Sequence, residues 1–289
     1  MPLRYPPPLG HSCLPAGTYE GNTVLITGGG TGLGKGMALE FARLGGRIAI
    51  LSRKPEHLVA GIAAIEAIGG RAIAVAGDVR DEAKVAAAFD EIDDRFGPVD
   101  VLVNNAAGNF PKPAEELSPN GWRSVIDIVL NGTFICSREM AMRRIADKRG
   151  GAILNIGATY GWTGGPGTAH SAAAKAGVSN LTQSLAVEWA PDDIRVNCVA
   201  PGRFPHEDQP AHITAHREGE SRGAAIPAQR VGELRELAWA ATFLCSPYAA
   251  YITGHTLVVD GGNWLRRSLV MPDFTPIRDQ FGKQGKYRP

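Results

Sequence analysis

The chain has 289 residues, of which 44% are hydrophobic and 20% charged, and its formal net charge is +1. This composition is typical of a soluble globular protein and excludes a disordered chain. The near-zero net charge offers no basic surface for nucleic acid, and no apolar stretch is long enough to span a membrane. We therefore expect neither nucleic acid nor a membrane as a partner.

Four widely separated cysteines form neither a CxxC pair nor a metal-ligand pattern. Reduced thiols in the cytosol are expected. Prolines in the first 20 residues interrupt the apolar run of a signal peptide and the helix of a mitochondrial presequence. The sequence thus predicts a cytoplasmic protein.

Seven short apolar segments alternate with segments of helical periodicity. The predicted strands are TVLIT (23–27), RIAILS (47–52), AIAVAGDV (72–79), VDVLVNNAA (99–107), GAILNIG (151–157), IRVNCVAP (194–201) and GHTLVVDGG (254–262). Helices are predicted at about 33–44, 55–68, 81–96 and 118–147, then in the segment that contains Lys175, and at 232–245.

This alternation predicts one α/β domain of Rossmann type, a doubly wound, seven-stranded parallel sheet with helices on both faces. Its ligand is expected beyond the carboxyl ends of the strands. We divide the chain into a proline-rich arm (1–20), the domain (21–264) and a polar tail (265–289). The long polar connection at about 202–226 is expected to be a substrate lid. Its histidines are irregularly spaced, so no metal site is predicted.

A glycine-rich motif, TGGGTGLG (27–34), follows the first predicted strand directly. Glycines here let the backbone approach a pyrophosphate at the amino end of the next helix, where free N–H groups favour an anion. The motif is not GxGxxG, because Leu33 occupies the last position. The alternative is a glycine turn without a ligand. The residues assigned to the pyrophosphate turn are Gly28, Thr31, Gly32, Leu33 and Gly34.

The second predicted strand ends in Ser52, and Arg53 and Lys54 follow. An NAD site usually carries a carboxylate here, whereas two cations suit the 2′-phosphate of NADP(H). Arg and Lys also occur in ordinary loops, which is the alternative. After the third strand, Asp78 and Val79 are expected to border the adenine, unless Asp78 is a plain helix N-cap.

The fourth predicted strand runs into NNAAGNF (104–110). Small residues there allow close approach to a flat ring, and the amides offer donors and acceptors; an asparagine-glycine turn is the alternative. We assign Asn105, Ala106 and Ala107 to the cofactor.

The segment NIGATYGWTGGPGTAHSAAAKAG (155–177) contains Tyr160, Ser171 and Lys175. Ser171 and Lys175 have i, i+4 spacing and are expected to share one helix face. The alternatives are that Tyr160 only packs against Trp162, and that Ser171 and Lys175 form a solvated face.

Together with Asn131 and VAPG (199–202), these motifs resemble the short-chain dehydrogenase/reductase family across about residues 20–265. In that family the site is usually a serine, a tyrosine and a lysine, with the tyrosine four residues before the lysine. Here Ser171 stands in place of the tyrosine, and Ala158 stands in place of the serine. On the cofactor side the resemblance adds Pro201 and Gly202.

The sequence is more closely similar to the NADPH-dependent 2,4-dienoyl-CoA reductases, through ITGGGTGLGKGM (26–37), NNAAGNF, DIVLNGT (127–133) and the position of Tyr160. In that branch the tyrosine and the asparagine of AAGN bind the thioester carbonyl, and the lysine holds the nicotinamide ribose. The resemblance therefore implies a homotetramer and the following site residues: Tyr160 and Asn109 on the thioester, Lys175 on the ribose, Asn131 supporting the lysine, and Ser171 on the cofactor side.

The displaced tyrosine fits conjugate reduction. Reduction of a carbonyl needs an acid beside the hydride path, whereas reduction of a diene places charge on a thioester oxygen several bonds away, where donors must be aimed. The predicted function is NADPH-dependent reduction of a conjugated C=C bond in an acyl-CoA thioester. The alternatives are a trans-2-enoyl-CoA reductase, a general alcohol or carbonyl dehydrogenase that uses Tyr160, and a catalytically silent NADP-binding sensor.

Overall fold

The computed structural model describes residues 5–208 and 223–265, and these residues form one seven-stranded parallel sheet. The strand order is β3-β2-β1-β4-β5-β6-β7, so the direction of winding reverses between β1 and β4. The prediction of a doubly wound parallel sheet is confirmed. The strands are β1 (Thr23–Thr27), β2 (Arg47–Ser52), β3 (Arg71–Ala76), β4 (Val99–Asn104), β5 (Gly151–Ile156), β6 (Ile194–Pro201) and β7 (Thr256–Val259).

The helices follow the strands as expected for right-handed βαβ units. They are α1 (Gly32–Arg43), α2 (Pro55–Glu66), α3 (Glu82–Phe96), α4 (Pro119–Ile126), α5 (Gly132–Ala146), α6 (Tyr160–Thr163), α7 (Ala169–Trp189) and α8 (Leu234–Cys245). The long helix predicted at 118–147 is interrupted by a π-helical turn, Asp127–Asn131, between α4 and α5. Within the part of the chain that the structure describes, no helix combines the length and apolar character needed to cross a bilayer.

Apolar side chains on both faces of the strands build two cores. Leu25 points into a core formed with α3, α5 and α7, while its neighbours Val24 and Ile26 point into a second core formed with α1, α2 and α8. The side chains of a strand alternate between the two faces, so strands covered on both faces are apolar throughout.

The carboxyl ends of β4 and β5 are fixed by buried amides. Asn104 pairs with Asn155 across the sheet, and its Nδ2 donates to Asn155 Oδ1 (2.9 Å) and to Ser137 Oγ on α5 (2.8 Å). Asn155 Nδ2 in turn donates to Thr182 Oγ1 on α7 (2.9 Å). Buried side-chain hydrogen bonds of this kind favour one arrangement of neighbouring elements. The two strands and two helices at the middle of the sheet are therefore held in register.

Residues 5–20 run along α8. Tyr19 is 2% exposed, packs edge-on against Phe41, and donates its hydroxyl to the Thr242 carbonyl (2.5 Å), while Trp239 Nε1 donates to the His11 carbonyl (3.0 Å). The end of the predicted arm thus joins the second core. Most of the predicted lid (209–222) and all but the first residue of the predicted tail (266–289) lie outside the described residues. The division into arm, domain, lid and tail stays a prediction.

Candidate active site

The turn between β1 and α1 can exist only with glycine at its key positions. Gly28 (φ +64°) and Gly32 (φ +53°) have left-handed backbone conformations, which strain any residue with a β-carbon. A β-carbon added at Gly34 would lie 2.4 Å from the Gly28 carbonyl oxygen. Thr31 is the N-cap residue of α1, and Leu33 packs partly against the second core. The turn is a backbone cradle at the start of a helix, the arrangement that binds phosphates.

The end of β4 is tied to this turn. Asn105 Nδ2 donates to the carbonyls of Thr27 (3.0 Å) and Gly28 (3.1 Å), and Thr27 Oγ1 accepts the backbone N–H of Asn105 and of Ala106. Ala107 follows as an exposed residue. Asn105 therefore holds the two loops together, and the small side chains of Ala106 and Ala107 follow it in the chain.

The ends of β2 and β3 carry the cations Arg53, Lys54 and Arg80 and the carboxylate of Asp78. Ser52 Oγ accepts the Lys54 backbone N–H, and the exposed Arg53 and Lys54 extend beyond the sheet. Asp78 is held by Arg80 (2.6 Å), with Arg53 more distant (3.7 Å). The hydrogen bond from Arg80 lowers the pKa of Asp78 to about 2. Because Arg80 neutralises that carboxylate, Arg53 can offer its charge to another anion.

Asp78 is not the cap of α3. The N-cap residue is Asp81, whose side chain accepts the Lys84 backbone N–H (3.2 Å). Val79 is 6% exposed and packs against Gly132, where a β-carbon would lie 2.7 Å from Val79 Cγ2. The plain-cap alternative for Asp78 was therefore wrong, and most of the Val79 side chain lies in the core.

Ser171 and Lys175 lie in the first two turns of α7 and are nearly inaccessible, at 1% and 7% exposed. Lys175 Nζ donates to the carbonyl of Ile156, the last residue of β5. Burial lowers the pKa of Lys175 to about 8, against a small opposing effect of the Cys198 thiol. The alternative of a solvated helix face was wrong. An ammonium group is instead placed at the carboxyl end of a central strand.

Tyr160 joins the same group through its hydroxyl. The short helix α6 lies so close to α7 that a β-carbon at Gly161 would be 3.0 Å from the Ala176 backbone nitrogen. In this position Tyr160 OH and Ser171 Oγ are 3.1 Å apart and share a hydrogen bond. The Trp162 ring contacts Trp264 at 5.6 Å between centroids. The Tyr160 hydroxyl thus reaches Ser171 on α7, the position at which the family usually has a tyrosine.

The NNAAGNF loop is fixed to the same wall of the cleft. The Phe110 ring meets the His170 ring edge to face, 4.6 Å between centroids, and Lys112 N donates to the Gly167 carbonyl (2.7 Å). Asn109 lies beside Phe110 and is exposed. The Asn109 amide therefore lies on a loop that contacts both Gly167, just before α7, and His170, in the first turn of α7.

Asn131 ends the π-helical turn, and its Nδ2 donates to Asp127 Oδ1 (2.9 Å). Among the described residues no direct hydrogen bond joins Asn131 to Lys175. The turn reaches α7 through Leu130, whose Cδ2 would lie 2.9 Å from a β-carbon at Gly177. Single π-turns inside α-helices are frequent at functional sites.

Pro201 and Gly202 stand at the carboxyl end of β6. Gly202 N donates to the Val259 carbonyl (2.9 Å), and a β-carbon at Gly202 would lie 2.5 Å from Asp260 Cβ. Glycine is required there because the backbone passes so close to the end of β7.

Two features were missed by reasoning from the sequence. His170 is fully buried, and its Nδ1 accepts the Ser171 backbone N–H (2.9 Å); a histidine next to the serine was its only signal. Asp208 accepts a hydrogen bond from the backbone N–H of Gly32 (2.7 Å), although the two residues are 176 positions apart in the sequence. No local sequence pattern predicts such a contact. In residues 5–208 and 223–265, no group of three or more His, Cys, Asp or Glu side chains is arranged to hold a metal ion.

The residues at the β1–α1 turn fit a nicotinamide dinucleotide. Gly28, Gly32 and Gly34 form a cradle that β-carbons would fill, and the helix amino end and the cations beyond β2 supply the charge that phosphates need. The structure therefore defines a dinucleotide-binding protein of Rossmann type.

Comparisons with known proteins agree with this class. A family model described as "Enoyl-(Acyl carrier protein) reductase" matches residues 28–263. The chain belongs to the short-chain dehydrogenase/reductase family, whose fold implies a nicotinamide cofactor.

Relatives within the family carry a more particular name. A probable 2,4-dienoyl-CoA reductase of Bacillus subtilis (strain 168) is 43% identical over 248 residues, covering 85% of this chain and 98% of that protein. The peroxisomal 2,4-dienoyl-CoA reductase of Arabidopsis thaliana is 38% identical and covers 88% of each chain. A short chain dehydrogenase from Bacillus anthracis is 45% identical in its crystal structure, with a TM-score of 0.79 over 86% of this chain and 98% of that one.

Proposed function

We propose that the protein is an NADP(H)-dependent reductase of a conjugated C=C bond in an acyl-CoA thioester. The observation that carries this proposal is the hydrogen bond between Tyr160 OH and Ser171 Oγ, 3.1 Å long. It brings the phenol of α6 to the face of α7 on which the family usually carries its tyrosine. The similarity to proteins named 2,4-dienoyl-CoA reductases supports the same substrate class.

NADP(H) is proposed over NAD(H) because the end of β2 presents Arg53 and Lys54 and no carboxylate. A guanidinium and an ammonium bind a 2′-phosphate through charge-assisted hydrogen bonds. The residues proposed to hold the dinucleotide are Gly28, Thr31, Gly32, Leu33, Gly34, Ser52, Arg53, Lys54, Asp78, Val79, Asn105, Ala106, Ala107, Lys175, Pro201 and Gly202.

When bound, a reduced nicotinamide would supply the hydride for the distal carbon of the diene, and uptake of a proton by the carbon skeleton would complete the reduction. Negative charge then develops on the thioester oxygen, several bonds from that carbon. Tyr160 O–H and the Asn109 amide N–H are the donors that stabilise this oxygen in the dienolate. Donors fixed before the reaction need no reorganisation when the charge appears, and the contacts of both loops with α7 provide that fixation.

Lys175 and Ser171 act on the cofactor side of the same wall. Lys175 holds the ribose hydroxyls next to the nicotinamide, and Asn131 supports this region through the π-helical turn. Ser171 orients the Tyr160 hydroxyl, because their shared hydrogen bond fixes the phenol oxygen. A serine hydroxyl is a much weaker acid than a phenol, so Ser171 is the positioning group and Tyr160 the donor.

A panel of substrates tests the proposal. Purified protein is mixed with NADPH and 2,4-dienoyl-CoA, 2-enoyl-CoA or simple carbonyl compounds, and oxidation of the reduced nicotinamide is followed by absorbance. We expect turnover to be fastest with 2,4-dienoyl-CoA. Faster turnover of a 2-enoyl-CoA would identify the second candidate, which the matching family model's description favours. Tight NADPH binding without turnover of any substrate would identify a sensor.

Tyr160→Phe tests the mechanism. Removal of the hydroxyl deletes one donor to the thioester oxygen, so kcat should fall by about 10²-fold. Ser171→Ala is the comparison variant and should lower kcat by less, about tenfold, because the phenol remains. Unchanged turnover of Tyr160→Phe, with native thermal unfolding, would remove Tyr160 from the mechanism.

The assembly is proposed to be a cytoplasmic homotetramer. Phe134, Met142 and Ile145 on α5 are exposed apolar side chains that an interface between subunits would cover. The four cysteines are free thiols, as expected in a reducing compartment. Light scattering coupled to gel filtration measures the number of subunits, and a monomeric mass would contradict this part of the proposal.

A further inference from the structure

The segment His206–Asp208, which follows β6, lies against the glycine-rich turn. Asp208 Oδ2 accepts the backbone N–H of Gly32, the first residue of α1, at 2.7 Å. The N–H groups in the first turn of a helix have no partner within the helix, and the helix dipole favours an anion there. A carboxylate of the chain itself therefore uses a donor that a bound phosphate would need.

Lys35 completes this contact. Its Nζ lies 2.7 Å from Glu207 Oε1 and 3.1 Å from Asp208 Oδ2. Burial alone would lower the pKa of Lys35, but the hydrogen bonds to Glu207 and Asp208 outweigh it and raise that pKa. In Asp208, burial would raise the pKa, and the Gly32 N–H and Lys35 lower it overall. The two carboxylates thus occupy the place of a bound phosphate, and the Gly32 N–H and the Lys35 ammonium are the donors that hold them.

His206 covers the same turn. A β-carbon added at Gly32 would lie 2.8 Å from His206 Cε1, so the imidazole rests on the bare α-carbon of that glycine. Gly32 has φ +53° and belongs to the cradle that would admit a dinucleotide. An imidazole and a carboxylate thus both lie against Gly32, where the cradle meets the first turn of α1.

We infer that Glu207 and Asp208 are internal occupants of the dinucleotide phosphate site, which the pyrophosphate of NADP(H) must displace. The inference rests on the proposed function, because that function supplies the cofactor. Lys35 then releases the two carboxylates and binds a phosphate group of the cofactor. The backbone N–H of Gly32 cannot donate a full hydrogen bond to the Asp208 carboxylate and to a cofactor phosphate at the same time. The negative charges of these two groups would also repel each other.

The exchange has a thermodynamic consequence. Only the fraction of molecules in which Glu207 and Asp208 have left the turn binds the cofactor, so the apparent affinity is reduced by that fraction. Neutral side chains at these two positions raise the competent fraction. A purely structural ion pair predicts the reverse, since its loss would loosen the turn and weaken binding.

Binding of NADPH to the full chain tests the inference, measured by isothermal titration calorimetry without any turnover. The variant with Glu207→Gln and Asp208→Asn should lower the dissociation constant of NADPH roughly fivefold to tenfold. Lys35→Met should raise it by about tenfold, because the cofactor loses a cation. Glu66→Gln with Asp94→Asn is the matched control: it makes the same change in net charge near the C-terminal ends of α2 and α3, and should leave the dissociation constant unchanged.

Adenosine 2′-monophosphate, which lacks the pyrophosphate, is the second probe. The Glu207/Asp208 double variant should have the same dissociation constant for this ligand as the wild type, because the ligand has no pyrophosphate that would need the Gly32 N–H. NADPH binding that is unchanged or weaker in the double variant overturns the inference while the proposed function stands. Tighter binding of both probes also overturns it, since that result reports a general charge effect. Failure of every folded variant and of the wild type to bind NADPH overturns the proposed function.

Discussion

On the α7 side of the cleft, Tyr160, Ser171 and Lys175 meet groups from neighbouring elements and are largely shielded from solvent. On the α1 side, the first helical N–H is bonded to Asp208, a residue 176 positions away. The two sides share one sheet edge and one proposed cofactor, but they differ in what their polar groups contact before a ligand arrives.

The difference follows from the chemistry of each side. Donors that must stabilise a developing charge are most effective when they are held in place by packing, and the buried α7 side provides this. A phosphate-binding turn needs unsatisfied N–H groups, which attract any available anion. The α7 side can therefore be preorganised, whereas the α1 side must exchange one anion for another.

Loss of the buried ammonium should have the largest effect. In Lys175→Met a side chain of similar length keeps the packing but loses the contact with the Ile156 carbonyl and the proposed contact with the ribose. We expect kcat/KM for the acyl-CoA substrate to fall by about 10³-fold, because orientation of the nicotinamide is lost. Steady-state kinetics at saturating NADPH measure the effect.

Lys84→Met is the control for this variant, because Lys84 is an exposed lysine on α3. It should retain wild-type kinetics. A Lys175→Met enzyme with near-normal kcat/KM would show that the α7 side is preorganised by packing alone, without this charge.

The two sides also differ in how far the sequence can predict them. The α7 contacts follow from a helix of known period and from apolar strands in βαβ alternation, so the placement of Ser171 and Lys175 on one helix face is confirmed. The strands β3, β4 and β7 end at Ala76, Asn104 and Val259, three residues before the predicted ends. The Tyr160–Ser171 bond was not foreseen, because it depends on how closely Gly161 lets α6 approach α7. The contact of Asp208 with Gly32 depends on the path of a long loop, which no periodicity encodes. Local patterns therefore predict the fold and the preorganised side better than the side that exchanges ligands.

The buried state of Lys175 should be visible in the pH dependence of stability. Its pKa is about 8 in the folded protein and about 10.4 in an unfolded chain. Between these values the unfolded chain retains the proton that the folded chain has released, so the free energy of unfolding rises with pH. Below pH 8 both states are protonated, and the folded state carries the full penalty of burying the charge. The gain across this window is about 3 kcal/mol, or roughly 10²-fold in the unfolding constant.

Urea unfolding at pH 7 and pH 10 measures this gain as a difference between wild type and Lys175→Met. Wild type should gain stability relative to the variant on going to pH 10, because methionine has no proton to release. Lys84→Met, which removes an exposed lysine, is the control for this comparison. A pH-independent difference for Lys175→Met would mean that solvent reaches the ammonium.

The smallest predicted effect concerns the cations beyond β2. Arg53→Ala removes one charge-assisted hydrogen bond to the proposed 2′-phosphate, and the side chain is 47% exposed, so solvent screens part of its contribution. We expect the KM for NADPH to rise about tenfold and the KM for NADH to remain unchanged. Arg80→Ala should raise the KM for NADPH by less, about threefold, because it frees Asp78 to attract Arg53. Equal shifts for NADPH and NADH in Arg53→Ala would assign Arg53 to the folding of the loop and not to the 2′-phosphate.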